Sequence, residues 1–184
     1  VPVDWLGQDL ISSAEAMKAV DPKMYRWTWL GEPVGVDELI YYMFSDRHRK
    51  KPEDGRSYDR VYIGCDYGQQ NATTYQAFGL DTYKRKFTGL DEYYHSGRDS
   101  GIQRSPSEYA KDLVVFMDTL HEDYNVRVFY VCIDPSAKGL QEEIRRATRI
   151  GLDYSELVRD AENDVALGIS RVQKAFVFDI LSIS

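Results

Sequence analysis

Two apolar runs in this chain each end on an aspartate, and a hairpin-like stretch and one amphipathic segment lie between them. Val61, Ile63 and Cys65 alternate with Tyr62, Gly64 and Asp66, a period of two that puts Asp66 on the face opposite Cys65. Val126 to Ile133, VRVFYVCI, is apolar on both faces apart from Arg127 and stops at Asp134-Pro135-Ser136; strands of that kind are usually central and parallel to a neighbour. If the two strands are adjacent and parallel, as the single crossover helix between them allows, both carboxylates project from the same edge of one sheet. Such a pair suits hard cations such as Mg²⁺ or Mn²⁺, and two ions about 3.5–4 Å apart stabilise both the attacking water and the leaving oxygen in phosphodiester hydrolysis. The competing reading is local, because an aspartate at a strand end is also a common turn or cap residue.

The rest of the chain builds a sheet around these runs. Ala72 to Leu80 and Arg85 to Tyr94 read as two further strands, so that with the Val61 run they form an antiparallel meander. Gly97 to Arg104 reads as a polar loop. Ser105-Pro106-Ser107-Glu108 then supplies an N-cap, a proline at the first helical position and a capping-box glutamate. Tyr109, Leu113, Phe116, Met117 and Leu120 mark the apolar face of that helix. Ala137 to Thr148 is expected to be helical, Leu152 to Val158 a short strand or turn, and Asn163 the cap of a helix carrying Val165, Ile169, Val172 and Phe176. Val177 to Ile183 reads as a final strand containing Asp179. The predicted fold is therefore α/β, with a mixed sheet whose antiparallel side is the meander and whose parallel side carries the second aspartate.

Upstream, Ser12 and Glu15 have capping-box spacing for a helix to Val20 that Asp21-Pro22 ends. Met24 to Phe44 reads as two short apolar segments joined by a turn at Gly31, Pro33 and Gly35. Arg47 to Pro52 is a basic, proline-terminated run expected to be a linker. These features divide the chain into an arm, 1–50, and a domain, 51–184.

Composition narrows the function. At 184 residues, 43% hydrophobic, the chain is long enough for one substantial core. A formal net charge of −7 argues against an indiscriminate nucleic-acid binder, while leaving room for a nuclease whose carboxylates are neutralised by metal. No apolar run reaches the roughly 18 residues of a membrane span, and VPVDWLGQDL has no basic stretch followed by an apolar one. The expectation is a soluble protein that is not secreted and engages no membrane. Cys65 and Cys132 lie in strand-like runs without zinc-ligand spacing and read as buried thiols of a reducing compartment. His48, His95 and His121 have no spaced partners and read as structural or solvated.

Several segments together resemble a known family. Tyr62 to Thr74, with Gly64-Cys65-Asp66-Tyr67-Gly68 and Asn71-Ala72-Thr73-Thr74, looks like the first catalytic strand and hairpin of the C-terminal nuclease domain of phage terminase large subunits of the PBSX-like group. Tyr25 to Glu32 and Ile40 to Phe44 resemble the segment that closes that family's ATPase domain. Tyr130 to Ser136 is similar to its second catalytic strand, and Asn163-Asp164-Val165 with Gly168-Ile169 to the helix after it. The resemblance spans about Tyr25 to Phe176. It implies a ribonuclease H-like fold and a divalent-metal-dependent endonuclease that cuts concatemeric viral DNA during genome packaging. It also implies work in the infected host's cytoplasm on double-stranded DNA, with a terminase small subunit and a portal protein as partners. Carried over residue by residue, Asp66 would ligate both ions of a two-metal Mg²⁺ or Mn²⁺ site and Asp134 one of them.

The chain departs from that family in two ways. It contains no Walker loop of the G-x-x-x-x-G-K-[ST] type, so by itself it is not the packaging motor. The family's third acid lies on a helix after the final strand, where this chain has ended, and the domain reads as truncated there, with weakened metal affinity. Asp179 and Asp164 are the weak substitutes for that acid, although Asp160, Glu162 and Asp164 are also explained by favourable charge at a helix N-terminus. Lys84, Arg85 and Lys86, and Arg145 and Arg146, are candidate DNA contacts that read equally as a charged surface. Two other functions stay open. One is a non-catalytic assembly fragment of the packaging machine. The other is an actin- or sugar-kinase-like ATP-binding domain, because Asp66-x-Gly68 followed by Thr73 and Thr74 also resembles a phosphate-binding turn.

Overall fold

The computed structural model describes residues 7–20, 22–32, 39–53, 56, 58–68, 71–149 and 152–184. They belong to two compact units, Val1–Tyr42 and Met43–Ser184. The first holds helices α1, Gln8–Val20, and α2, Pro22–Leu30. The expected cap at Ser12 does not form: α1 starts a turn earlier, where the N–H groups of Leu10 and Ile11 both donate to Gly7 O (2.9 and 3.2 Å). Pro22 opens α2, a position where its missing N–H costs nothing. The first of the two apolar segments, from Met24 to Leu30, is consequently helical. Gly31, at φ 63, ends it in the left-handed region that glycine adopts freely; Pro33 and Gly35 lie outside the described residues.

The second unit is built on a six-stranded sheet. Its strands are β1, Arg60–Asp66; β2, Ala72–Asp81; β3, Lys86–Ser96; β4, Val128–Ile133; β7, Val158–Asp160; and β8, Leu181–Ser182. A separate hairpin of β5, Thr148–Arg149, and β6, Leu152–Asp153, interrupts the numbering. Across the sheet the order is β7-β4-β1-β2-β3-β8. The meander β1-β2-β3 is antiparallel, and β4 is parallel to β1. The helices are α3, Gly97–Ser100; α4, Pro106–Tyr124; α5, Lys138–Arg146; and α6, Val165–Val177. Among the described residues, no helix is long and apolar enough to cross a membrane.

One face of the sheet makes the core. Val61 and Ile63 of β1, Tyr75 of β2, and Val131 and Ile133 of β4 are buried in one cluster with Leu113 and Leu120 of α4 and Leu140 and Ile144 of α5. The capping box at Ser105 and Glu108 forms, and the expected apolar face of α4 is buried throughout. Strand β4 is less buried than its composition suggests. A register shift between Val61 and Tyr62 leaves Phe129 38% exposed, its ring 5.7 Å from that of Tyr62. Cys132 is half-buried where Cys65 is buried. Gly97 to Ser100 forms a one-turn helix rather than a loop, its Asp99 N–H donating to Ser96 Oγ (3.2 Å). Helix α5 stops at Arg146, since Ala147 is extended.

The C-terminal region departs further from expectation. Helix α6 continues through Val177, and the chain turns at Asp179, φ 52, leaving only Leu181–Ser182 as strand. The basic run expected as a linker is tied to this region. His48 sits in a 3₁₀ turn, Asp46–His48, and is fully buried. Its Nδ1 accepts from Ser45 N–H (3.0 Å), which puts the ring hydrogen on Nε2, where it donates to Phe176 O (2.9 Å). Phe44 packs edge-on against Phe176 at 5.3 Å. Lys50 N–H donates to Ile183 O and Ile183 N–H to His48 O, both at 2.9 Å. Residues 43–50 thus fold with the sheet and belong to the second compact unit.

Replacing His48 with alanine removes the donor to a buried carbonyl and leaves a void, so His48→Ala should cost about 1–3 kcal/mol. Urea unfolding of the two proteins measures it; equal midpoints would contradict the arrangement.

Candidate metal centre

The site is built by the parallel ladder between β1 and β4. Cys65 pairs with Ile133, so Asp66 and Asp134 are the next residues along neighbouring strands, whose spacing is about 4.8 Å. Cys65 and Ile133 both face the helix-covered core. Alternation therefore sends Asp66 to the opposite face, where it is exposed, while Asp134, just beyond the end of β4, is half-exposed. On that face the row continues through Thr74 of β2, which pairs with Asp66, and Tyr94 of β3, which pairs with Thr74. Gly64, one row back, leaves open space: a Cβ placed there meets nothing within 4 Å.

The two carboxylates are held differently. Asp134 Oδ1 accepts the Ser136 N–H (2.6 Å) and Oδ2 accepts from Asn163 Nδ2 (2.8 Å). The Ser136 hydroxyl and N–H, with a smaller contribution from Asn163, hold the Asp134 carboxyl below the ordinary aspartate range. The backbone behind it is fixed by Gln141, a buried side chain whose Nε2 donates to Asp134 O and to Asp160 Oδ1, both at 3.1 Å. Among the described residues, no hydrogen bond or ion pair reaches the Asp66 carboxylate, and no ion pair reaches Asp134.

The hairpin after Asp66 closes on itself. Gly68 N–H donates to Thr73 Oγ1 (3.3 Å) and the Thr73 hydroxyl donates to Gly68 O (3.1 Å). A Cβ on Gly68 would stand 2.6 Å from Ala72 O, so this turn needs glycine. Thr73 is fully buried, and its hydroxyl is spent on the turn rather than offered to a phosphate, which takes away one of the two threonines on which the kinase-like reading rests.

The other candidate residues fall elsewhere. Asp179 pairs with Lys86 (2.6 Å) and Lys50 (3.8 Å) beside the start of β3. The register from Lys86 through Asp81 of β2 puts it at the Arg60 end of β1, six residues or roughly 20 Å from Asp66. It lies in the turn before β8, not within a strand. Lys84 and Arg85 are at that same end, Lys84 paired with Asp81 (3.5 Å). Asp164 is closer to the carboxylate pair, next in sequence to Asn163, but its Oδ1 accepts the Leu167 N–H (2.9 Å) as the cap of α6. The expected cap, Asn163, instead reaches Asp134. Arg145 donates to Gln141 Oε1 (3.1 Å), two links from Asp134, and Arg146 pairs with Glu142 and Glu143. Asn163 and Gln141 carried no local signal in the sequence, since Asn163 is 29 residues from its partner.

Two adjacent carboxylate oxygen donors without a neutralising side chain fit a hard divalent cation. They supply only part of its shell: among the described residues, no group of three or more His, Cys, Asp or Glu is placed to hold a metal ion.

The strand order and helix placement are those of a ribonuclease H-like fold. Comparison with known proteins agrees. No protein-family model matches the sequence, and no curated protein matches it. Solved structures do. The large terminase of a thermophilic bacteriophage superposes at TM-score 0.65 with 30% identity, covering 79% of this chain and 34% of that one. The same kind of terminase in complex with ATP-gamma-S gives 0.67 and 28%, covering 97% and 42%. The large terminase nuclease domain of phage P22 gives 0.54 at 10% identity, covering 78% and 71%, a likeness of fold. The chain is thus similar to phage large terminases, with the fold of their nuclease domain, and spans less than half the length of the full large terminases it matches.

Asp134 is predicted to titrate below the ordinary aspartate value of about 3.9, read by carboxyl ¹³C shifts in metal-free protein. Because its folded value is lowered, the stability contributed by its hydrogen bonds is complete above the unfolded value and lost as pH falls through the folded one. A titration at or above 3.9 would contradict the geometry.

Proposed function

We propose that this chain carries the metal-dependent endonuclease domain of a phage terminase large subunit, which cuts concatemeric double-stranded viral DNA during packaging. The observation that supports the reading is the pairing of Cys65 with Ile133 in the parallel ladder, which brings the next residues, Asp66 and Asp134, to the same end of adjacent strands. Asp66 and Asp134 would hold Mg²⁺ or Mn²⁺, Asp66 as the shared ligand. Bound divalent ions supply charge stabilisation to a phosphodiester undergoing hydrolysis. The chain's own contribution is orientation: Ser136 and Asn163 keep Asp134 ionised and fixed, and the Gly68–Thr73 turn fixes the strand end beside Asp66.

On this reading residues 1–50 correspond to the end of the ATPase domain and its linker. A terminase small subunit and a portal protein are the proposed partners, and the host cytoplasm the place of action. The second reading, a non-catalytic assembly module, is favoured by the two-carboxylate set, which falls short of a complete shell.

A plasmid-nicking assay with Mn²⁺ distinguishes the two. Asp66→Ala and Asp134→Ala should each lower cleavage about a hundredfold or more, because several kcal/mol of charge stabilisation depends on the ions. Equal cleavage by parent and both variants, or none by the parent, overturns the nuclease reading.

A further inference from the structure

Asp134 lies just beyond the end of its strand, so backbone pairing alone does not fix its carboxylate. Its side chain is oriented from two directions. Ser136 N–H reaches Oδ1 from within the same turn, and Asn163 Nδ2 reaches Oδ2 from the loop between β7 and α6. That loop is itself anchored to the sheet, since Ala161 N–H donates to Ile133 O (2.8 Å), the residue immediately before Asp134. On its other side Asp164 caps α6, fixing the backbone next to Asn163. Asn163 is exposed, and its amide adds no charge beside the carboxylate. A carboxylate has about four acceptor positions, so two hydrogen bonds leave capacity for a cation while removing rotation about the side chain.

We infer that Asn163 is a positioning residue of the metal centre, whose amide holds Asp134 in the orientation that takes up a divalent cation. This deepens the nuclease reading and rests on it only for the identity of the bound ion. Removal of such an outer partner typically weakens metal binding by about 10–100-fold. A purely structural role would instead appear as lost stability without metal.

The experiment has two parts, both on the full chain. Calorimetric titration with Mn²⁺ compares the parent with Asn163→Ala, alongside the thermal midpoint of each metal-free protein. The expected result is at least about tenfold weaker Mn²⁺ binding by the variant at an unchanged midpoint; equal affinity overturns the inference. Separately, the Asn163 side-chain amide resonances are followed in metal-free protein. They should move and lose solvent protection on Asp134→Ala and stay in place on Asp66→Ala. An amide that does not respond to Asp134→Ala overturns the inference whatever the titration gives. A parent that takes up no Mn²⁺ sinks the metal reading, and with it the positioning role, while the amide resonances report whether the contact itself exists.

Discussion

Cys65 faces Ile133 across the β1–β4 ladder, and the candidate site follows from that pairing. A slip of one residue in either strand would turn one carboxylate towards α4 and α5, because side chains alternate between faces. The register is held by apolar burial rather than by the aspartates: Val61 and Ile63 from β1 and Val131 and Ile133 from β4 are completely buried. The irregularity in the ladder sits between Val61 and Tyr62, at the far end of the strand from Asp66. Phe129 is pushed outward there, where the Arg60 guanidinium covers its ring at 4.6 Å. The pairing from Tyr62 to Cys65 is regular, so the carboxylate end is the ordered end of the ladder.

What the sequence made legible has a common cause. Period-two alternation in β1, the Ser105–Glu108 box and the apolar stripe of α4 are short-range patterns whose physical meaning does not depend on distant residues. The antiparallel meander followed by a parallel strand could be read on that basis. The misread elements depended on distant partners. Nothing near His48 indicates that its ring will be buried against the carbonyl of Phe176. The adjacent residues Asn163 and Asp164 are both good helix caps; tertiary structure assigns the cap to Asp164 because Asn163 is used by Asp134. Ser12 and Glu15 satisfy the spacing of a cap, yet the helix nucleates earlier and absorbs them. Val177 to Ile183 has strand-like composition, but α6 holds its first residue and Asp179 turns the chain.

The same distribution accounts for the basic residues. Lys84 and Lys86 are drawn into ion pairs with Asp81 and Asp179 at the β2–β3 turn, and such exposed pairs contribute little energy. Their effect is to place neutralised charge at the end of the sheet remote from Asp66. Among the described residues, no ion pair neutralises Asp66 or Asp134 at the other end.

Cys132 lies two residues before Asp134, about 7 Å along the strand, and beside Gly64 in the ladder. It is half-buried on the carboxylate face; burial raises both thiols, that of Cys65 on the core face up to about 12. The chain has only these two thiols, and they differ sharply in access. A small fluorophore or spin label coupled at Cys132, with no engineered mutation, would stand beside the proposed cation position and report its occupancy directly.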